Sequence, residues 1–437
     1  MIKKIIKKIF PEFWLLFYHR MLAVLSDWIY NSPSHKMIVI GVTGTNGKTT
    51  VCHMIRDILE VGGSRVGMTT SIDFQDGKRV WENNTKQGMP GRFQLRKLLS
   101  QMVKNKCDYA IIETTSEGIK QFRHYKIDYN IAVFTNLTSD HIESHGSWEA
   151  YRQAKEELFK IVSARDDGAS IINLDDPSAE YFLQYRAKKI YGYGLDLERM
   201  ENSKITDAIF AENITLYPEG SVFRVSDRLY SLALPGKHNI YNALASLCVG
   251  RAQSVPDELI QKALARFNGL PGRLEEIPSH KGFRIFVDYA HTEDALEKVY
   301  ETLQRMPHKR MIAVLGATGG GRDKKKRPEL GRLAAQYCDL VFVTNEDPYD
   351  EDPQEIINQV FAGVIVVGKI ENKNCWRILD RGEAIRTAIQ NARKGDIVII
   401  TGKGCERVMA TRRGFVPWDD RLEVRRVLKI KANIAKG

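Results

Sequence analysis

Met37-Ile38-Val39-Ile40-Gly41-Val42-Thr43-Gly44-Thr45-Asn46-Gly47-Lys48-Thr49-Thr50 is the stretch on which the reading of this chain turns. Residues 37–42 are a short apolar run of the kind that makes a buried parallel strand, and an amphipathic helical pattern follows from about 48 to 60. The glycine-rich turn between them sits where a phosphate-binding loop must sit. Glycines let backbone N–H groups curl around a phosphate, and the start of the helix adds partial positive charge. On this reading Gly44, Thr45, Asn46, Gly47, Lys48, Thr49 and Thr50 hold ATP. Lys48 reaches the β- and γ-phosphates, and the Thr49 hydroxyl binds Mg²⁺. The common G-x-x-x-x-G-K-S/T spacing is not met, because Val42 stands where its first glycine belongs.

Outward from the loop, apolar runs at Tyr109–Glu113, 130–135 and 170–173 predict further strands with helical stretches between them, hence a mostly parallel α/β sheet. Residues 189–234 change character: short alternating runs and the turn Pro218-Glu219-Gly220 predict a small antiparallel insertion. Helical patterns return at 239–251 and 256–267, and Asn268-Gly269-Leu270-Pro271-Gly272 reads as a domain boundary. A second α/β series follows, with strands at Arg284–Asp288, Met311–Leu315, Leu340–Thr344 and Ile397–Thr401. The expected organisation is a short helical segment at 1–36, a central ATP-binding domain at 37–270 and a C-terminal domain at 271–437.

The bulk composition agrees with a chain that fills several cores: 437 residues, 43% of them hydrophobic. A formal net charge of +11 suits phosphate-rich small molecules, an anionic membrane surface or nucleic acid, and does not choose among them. The 6 cysteines lie far apart with no C-x-x-C pair, which argues against a disulfide framework or a zinc knuckle and fits a reducing cytoplasm. At the front, residues 2–9 read I-K-K-I-I-K-K-I, and 12–30 are rich in aromatic and aliphatic side chains. Glu12, His19, Arg20 and Asp27 make that stretch too polar for a membrane span, and no small-residue cleavage site follows it. Two readings stay open: a basic helix in the membrane interface, or a helix docked on the next domain.

Further segments carry polar residues in suggestive patterns. They are Asn136-Leu-Thr-Ser-Asp140-His141-Ile-Glu-Ser-His145-Gly146, Tyr151-Arg-Gln-Ala-Lys155-Glu-Glu-Leu-Phe159 and Gly236-Lys-His238-Asn239-Ile-Tyr-Asn242. Pro271-Gly-Arg273-Leu-Glu275, Val287-Asp288-Tyr289-Ala290-His291, Gly319-Gly-Gly-Arg322-Asp323-Lys-Lys-Lys-Arg327-Pro328 and Gly402-Lys403-Gly404-Cys-Glu406 follow. Taken in order with T-G-T-N-G-K-T-T, they resemble the Mur ligase family, MurE type, along almost the whole chain after residue 37.

That resemblance implies an ATP-dependent, ADP-forming ligase that adds an amino acid, a diamino acid such as lysine, to a UDP-N-acetylmuramoyl-peptide in peptidoglycan precursor synthesis. ATP phosphorylates a carboxylate, an amine attacks the acyl phosphate, and phosphate leaves. Such a transfer needs positioning and charge neutralisation more than covalent help from the protein. It implies a P-loop domain followed by a Rossmann-like C-terminal domain, and one or two Mg²⁺ ions. Lys48, Glu113, His145 and Lys155 are the implied catalytic set. Thr49, Glu113, His145 and Lys155 would hold metal, Lys155 as N6-carboxylysine, a cation turned by CO₂ into an anionic ligand. On residues alone, Lys155 is a solvated lysine of a charged helix, and His141 with His145 lacks a third ligand for zinc. Asn239, Arg273 and Asp288 are implied to hold the ATP base and ribose, and Arg322, Gly402 and Glu406 to serve the substrates. Small-molecule substrates, no nucleic acid, a monomer and a cytoplasmic location, at the inner face of the membrane if the N-terminus touches it, complete the implied picture.

Two departures bear on substrate. Diaminopimelate-adding MurE enzymes carry D-N-P-R, whose arginine grips the second carboxylate; here the aligned residues are Glu346, Asp347, Pro348 and Tyr349. Tyrosine cannot make a bidentate charged fork, and two acids favour a side chain ending in an amine, such as lysine or ornithine. The family also carries a whole uridine-diphosphate-binding domain before its phosphate loop, whereas 36 residues precede Met37 here. The loop from Asn83 to Arg92 also differs from the family's threonine-rich one, and Lys86, Arg92 and Arg123 are candidates for a substrate phosphate or carboxylate. MurT-like amidation of a lipid-linked stem peptide and folylpolyglutamate synthesis remain the alternatives.

Overall fold

The structure, a computed structural model, describes residues 12–85, 87–138, 145–200, 205–321 and 323–430. Lys86, Asp140, His141, Arg322 and the lysines of residues 2–9 lie outside them. The chain divides into two compact units, Met1–Thr215 with Ser221–Phe267, and Leu216–Gly220 with Asn268–Gly437.

The first unit is built on a nine-stranded sheet. Its strands are β1 (Ile38–Thr43), β2 (Val66–Thr69), β3 (Asp73–Asp76), β4 (Val80–Glu82), β5 (Tyr109–Glu113), β6 (Ile131–Phe134), β7 (Ala169–Asn173), β8 (Lys189–Gly194) and β9 (Asp207–Phe210). They lie in the order β4-β3-β2-β5-β1-β6-β7-β8-β9. From β2 to β9 the pairing is parallel, and β3 and β4 add an antiparallel edge. The central strands are apolar on both faces, as a sheet covered on both sides requires: Val39, Ile40, Val42, Ile111, Ile112 and Val133 are all fully buried. Chain order reverses at β1, which lies between β5 and β6, so a crevice opens at the carboxyl ends of these three strands.

The insertion expected over 189–234 is smaller than the sequence suggests. β8 and β9 extend the parallel sheet, and only β10 (Glu212–Tyr217), β11 (Gly220–Val225) and β12 (Arg228–Leu232) form a separate three-stranded sheet. β8 is buried at every residue but its first, as a strand inside a covered parallel sheet requires, and Tyr193, Ile209 and Phe210 are core residues.

At the front, helix α1 (Glu12–Ile29) precedes α2 (Lys48–Val61) and α3 (Arg92–Lys104). α1 docks on α3, which meets that one of the two N-terminal expectations. Polar pairs add to the apolar contact of Ala23: Asp27 Oδ1 accepts from Nε of the fully buried Arg96 at 3.1 Å, and, beyond α3, Arg20 Nη2 donates to the Tyr125 hydroxyl at 2.8 Å. Among the described residues no helix is long and apolar enough to cross a membrane.

The second unit carries a six-stranded sheet of β13 (Glu275–Ile277), β14 (Arg284–Asp288), β15 (Met311–Leu315), β16 (Leu340–Thr344), β17 (Cys375–Ile378) and β18 (Ile397–Thr401). The order is β13-β14-β18-β15-β16-β17, parallel except for β13. The strands expected at 284–288, 311–315, 340–344 and 397–401 appear with those bounds; β17 and the hairpin of Val408–Thr411 with Gly414–Pro417 were not foreseen. A fully buried ion pair, Arg381 to Asp420 at 2.7 Å, joins two helices, and Arg381 Nη2 also donates to the Thr401 carbonyl at 2.8 Å.

Candidate functional site

The turn between β1 and α2 lies in the first unit's crevice. Gly44 and Gly47 have φ of 147° and 83°, backbone that disfavours a side chain. A Cβ at Gly47 would lie 2.4 Å from Asn242 Oδ1. The loop is pinned to the end of β6: Thr45 N donates to the Asn136 carbonyl at 2.8 Å, Asn46 N to Asn136 Oδ1 at 2.9 Å, and Thr135 Oγ1 to the Asn46 carbonyl at 2.7 Å. Its backbone is thereby fixed before anything binds.

Two lysines converge on it. Lys48 Nζ donates to the Gly44 and Thr45 carbonyls at 3.1 and 2.8 Å. Lys155 Nζ, from helix α4 (Trp148–Ser163), donates to the same Gly44 carbonyl at 2.6 Å and lies 4.5 Å from the Tyr151 ring centroid. At 2% exposure, Lys155 is not the solvated side chain its helix suggests. Two ammonium groups on one carbonyl oxygen make a strongly electropositive corner, suited to a polyphosphate.

Beside them stands Glu113, the last residue of β5 and buried. Its Oε2 accepts from Thr49 Oγ1 at 3.0 Å and from Ser71 N at 2.8 Å, and Thr49 Oγ1 is 2.9 Å from Ser71 Oγ. Carboxylate and hydroxyl oxygens grouped this way are the hard donors that Mg²⁺ takes. His145 Nε2 is buried without a hydrogen-bond partner among the described residues, 5.4 Å between ring centroids from Tyr151. Burial, reinforced by Lys120 and Lys155, lowers its pKa to about 4, so the imidazole is neutral and able to ligate. The residues present therefore fit a Mg²⁺ site.

The other candidates of this unit are distributed around that core. Thr50 lies half-buried on the first turn of α2. Asn239 Nδ2 donates to the Pro235 carbonyl at 2.8 Å, and its Oδ1 accepts from Asn242 Nδ2 at 3.1 Å, so Asn242 links it to Gly47. Arg123 ties down the loop beside Glu113, through Gln87 Oε1 and the Met89 carbonyl, and donates to Gln121 Oε1 at 2.8 Å. Arg92 donates to the Gln121 carbonyl; burial and the neighbouring Arg123 lower its pKa to about 10. Sequence reasoning missed His53 and Asp73 altogether: buried His53 bridges the Thr49 carbonyl at 2.8 Å and Asp73 Oδ2 at 3.1 Å, bracing the turn that carries Thr49.

In the second unit, Arg273 lies over the Tyr289 ring at 4.6 Å. The two Asp288 oxygens accept from the Leu274 and Ala290 amides, both at 2.6 Å, so this carboxylate organises its own loops. Burial pushes its pKa up, with Arg273 opposing. Glu346 is buried; Thr318 Oγ1 donates to its Oε1 at 2.7 Å, and Oε2 has no hydrogen-bond partner among the described residues. Gly402, at φ 106°, must be glycine there, since a Cβ would lie 2.2 Å from that Oε2. Asp347, read above as free to attract an amine, has Oδ1 taken up by Lys403 Nζ at 2.9 Å and the Ala410 amide at 2.6 Å. Lys403 is fully buried and also donates to Glu406 Oε2. A buried lysine binding two of the expected substrate residues was invisible in the sequence, where Lys403 reads as one more loop cation. Tyr349 has φ 53°, and its amide donates to the Ala410 carbonyl at 3.1 Å.

The chain is similar to known proteins along most of its length. Residues 42–250 match the Mur ligase middle domain and residues 272–404 the Mur ligase glutamate ligase domain. The UDP-N-acetylmuramyl-tripeptide synthetase of Roseiflexus sp. strain RS-1 is 38% identical over 422 residues, covering 93% of this chain and 81% of that protein. The UDP-N-acetylmuramoyl-L-alanyl-D-glutamate–2,6-diaminopimelate ligase of Syntrophomonas wolfei is 36% identical, covering 95% and 82%. A solved structure of a ligase of that second name superposes with a TM-score of 0.60 at 30% identity, over 90% of this chain and 78% of that one. Mycobacterium tuberculosis folylpolyglutamate synthase gives 0.72 at 17% identity, over 95% and 96%, a likeness of fold alone.

Proposed function

Since this chain belongs to the Mur ligase family of ATP-dependent, ADP-forming amide ligases, which use ATP and Mg²⁺, we propose that it joins a diamino acid to a UDP-N-acetylmuramoyl-peptide in peptidoglycan precursor synthesis. The observation that carries the reading is Lys48 on the Gly44 and Thr45 carbonyls of the phosphate loop, beside Thr49 and Glu113.

In the proposed mechanism the loop backbone and Lys48 bind the ATP phosphates and orient the γ-phosphoryl group toward a carboxylate of the muramoyl peptide. The carboxylate oxygen attacks phosphorus and ADP leaves. The amine of the diamino acid then attacks the acyl carbon, loses a proton, and phosphate departs. Mg²⁺, when bound, neutralises charge developing on the phosphoryl oxygens. Thr49 and Glu113 would hold one ion, and His145 with Lys155 a second. For the latter we propose that Lys155 is the N6-carboxylysine form, supported by its burial against the phosphate loop. Arg123 positions the acceptor-side loop, and Asn239, Arg273 and Asp288 serve the nucleotide. Glu346 and Glu406 face the incoming amino acid, and Tyr349 in place of an arginine favours lysine or ornithine over diaminopimelate. The enzyme is proposed to act as a monomer in the cytoplasm, at the inner face of the membrane.

The test is phosphate release from ATP with UDP-N-acetylmuramoyl-dipeptide and lysine, ornithine or diaminopimelate in turn, with the product weighed by mass spectrometry. Release that needs both the dipeptide and lysine or ornithine is expected. Turnover with diaminopimelate alone would overturn the side-chain assignment. No turnover from protein that binds ATP would overturn the soluble acceptor. Isotope-labelled bicarbonate should give a carbamate carbon signal in the wild type that Lys155→Arg lacks.

A further inference from the structure

Helix α1 leaves an apolar side outward. Its docked side mixes the partly buried Leu15, Leu16 and Leu22 and the fully buried Ala23 with Ser26 and Asp27, whose carboxylate accepts from Arg96. Its outward side is apolar: Trp14, Phe17, Tyr18, Met21, Leu25 and Trp28 are exposed, Trp28 at 77% and Trp14 at 57%. At about 100° per residue these positions fall within a single arc of roughly 100° that holds no charged side chain. Folded proteins seldom leave such a continuous apolar patch in water unless it binds something.

Charge names the occupant. Residues 1–11 run directly into this helix and contain Lys3, Lys4, Lys7 and Lys8, alternating with isoleucine pairs, and no acidic residue. An aromatic and aliphatic stripe joined to a run of lysines fits the headgroup boundary of an anionic bilayer, where rings sit among acyl chains and ammonium groups meet phosphates. A second copy of this chain packed face to face on α1 would set like charge against like, since the exposed stripe carries no acid to meet the lysines.

We propose that the outward face of α1 docks this protein on an anionic lipid surface. This deepens the inner-face location proposed above, and it stands apart from the ligase chemistry because binding is read without ATP or acceptor. The docked side of α1 stays on the fold, so docking requires no unfolding of the helix.

The experiment is co-sedimentation of the full chain with phosphatidylglycerol–phosphatidylcholine vesicles and with phosphatidylcholine vesicles. The wild type should pellet with the anionic vesicles and release in high salt. The double variant Trp14→Ser, Trp28→Ser should lose binding by about tenfold or more, with its melting temperature and ATP-analogue affinity unchanged. Replacing Lys3, Lys4, Lys7 and Lys8 by alanine should weaken binding by about fivefold per lysine. Wild type that stays in the supernatant, or a double variant that pellets as well as wild type, would overturn the proposal. So would a wild-type dimer that ignores vesicles and becomes monomeric in the double variant, because the stripe would then cover a second copy.

Discussion

The phosphate loop and the Glu346–Glu406 loops both follow the ends of parallel strands, yet they handle lysine in opposite ways. At the first, Lys48 and the buried Lys155 are drawn onto one carbonyl oxygen of a loop shaped for phosphates. At the second, Lys403 is cross-linked to Asp347 and Glu406, so a lysine in a glycine-rich loop becomes part of the framework. A buried cation is therefore not by itself a mark of chemistry. What it faces decides whether removing it should cost turnover or stability.

The widest separation is expected from Lys48→Ala. It should lower kcat/KM by about a thousandfold, near 4 kcal/mol of transition-state stabilisation, while leaving the melting temperature almost unchanged. Activity within tenfold of wild type would break the contrast. Lys403→Met should do the reverse. It leaves two carboxylates without their shared cation and should cost about 3 kcal/mol in urea unfolding. If its stability held and only the KM for the amino acid rose, Lys403 would belong to the binding machinery.

Gly47→Ala sharpens the first half. It combines unfavourable backbone at φ 83° with a Cβ 2.4 Å from Asn242 Oδ1. About 2 kcal/mol of destabilisation is expected, together with weaker ATP-analogue binding by calorimetry. Unchanged binding would mean that the loop adapts.

The smallest effect belongs to a plain structural pair, Arg310 Nη2 to Asp396 at 2.6 Å. Burial works to raise Asp396, and Arg310 with the Arg393 amide overcomes it, so its folded pKa lies below the ordinary value. Its contribution is thus full above about pH 4 and is lost as pH falls through the lowered folded value. Asp396→Asn should cost about 1 kcal/mol at neutral pH, and the two melting curves should converge in acid. A difference independent of pH would show that shape, not charge, holds the pair.

The same contrast explains what could be read from sequence. Continuous apolar runs such as Tyr109–Glu113 and Ile397–Thr401 have one stable use, as strands buried on both faces, and they fell at the expected residues. The loop from Gly44 to Thr49 was legible because its glycines and lysine answer to a local requirement. Lys155 was not, because its burial depends on a carbonyl 111 residues away in sequence. Lys403 and the His53–Asp73 brace were hidden for the same reason: each joins segments that only the folded sheet brings together. β8 and β9 misled because runs as short as these do not state in sequence which sheet they join.

The cysteines give the fold its own stopwatch. None of the 6 is in a disulfide, five are buried and Cys405 is partly so, and burial raises every thiol above its ordinary pKa. A thiol reagent therefore reacts with the five buried thiols only as fast as the chain opens around each sulfur. Cys52 and Cys248 clock the first unit, Cys338 and Cys375 the second, and a bound nucleotide should slow the unit that holds it without any label being introduced.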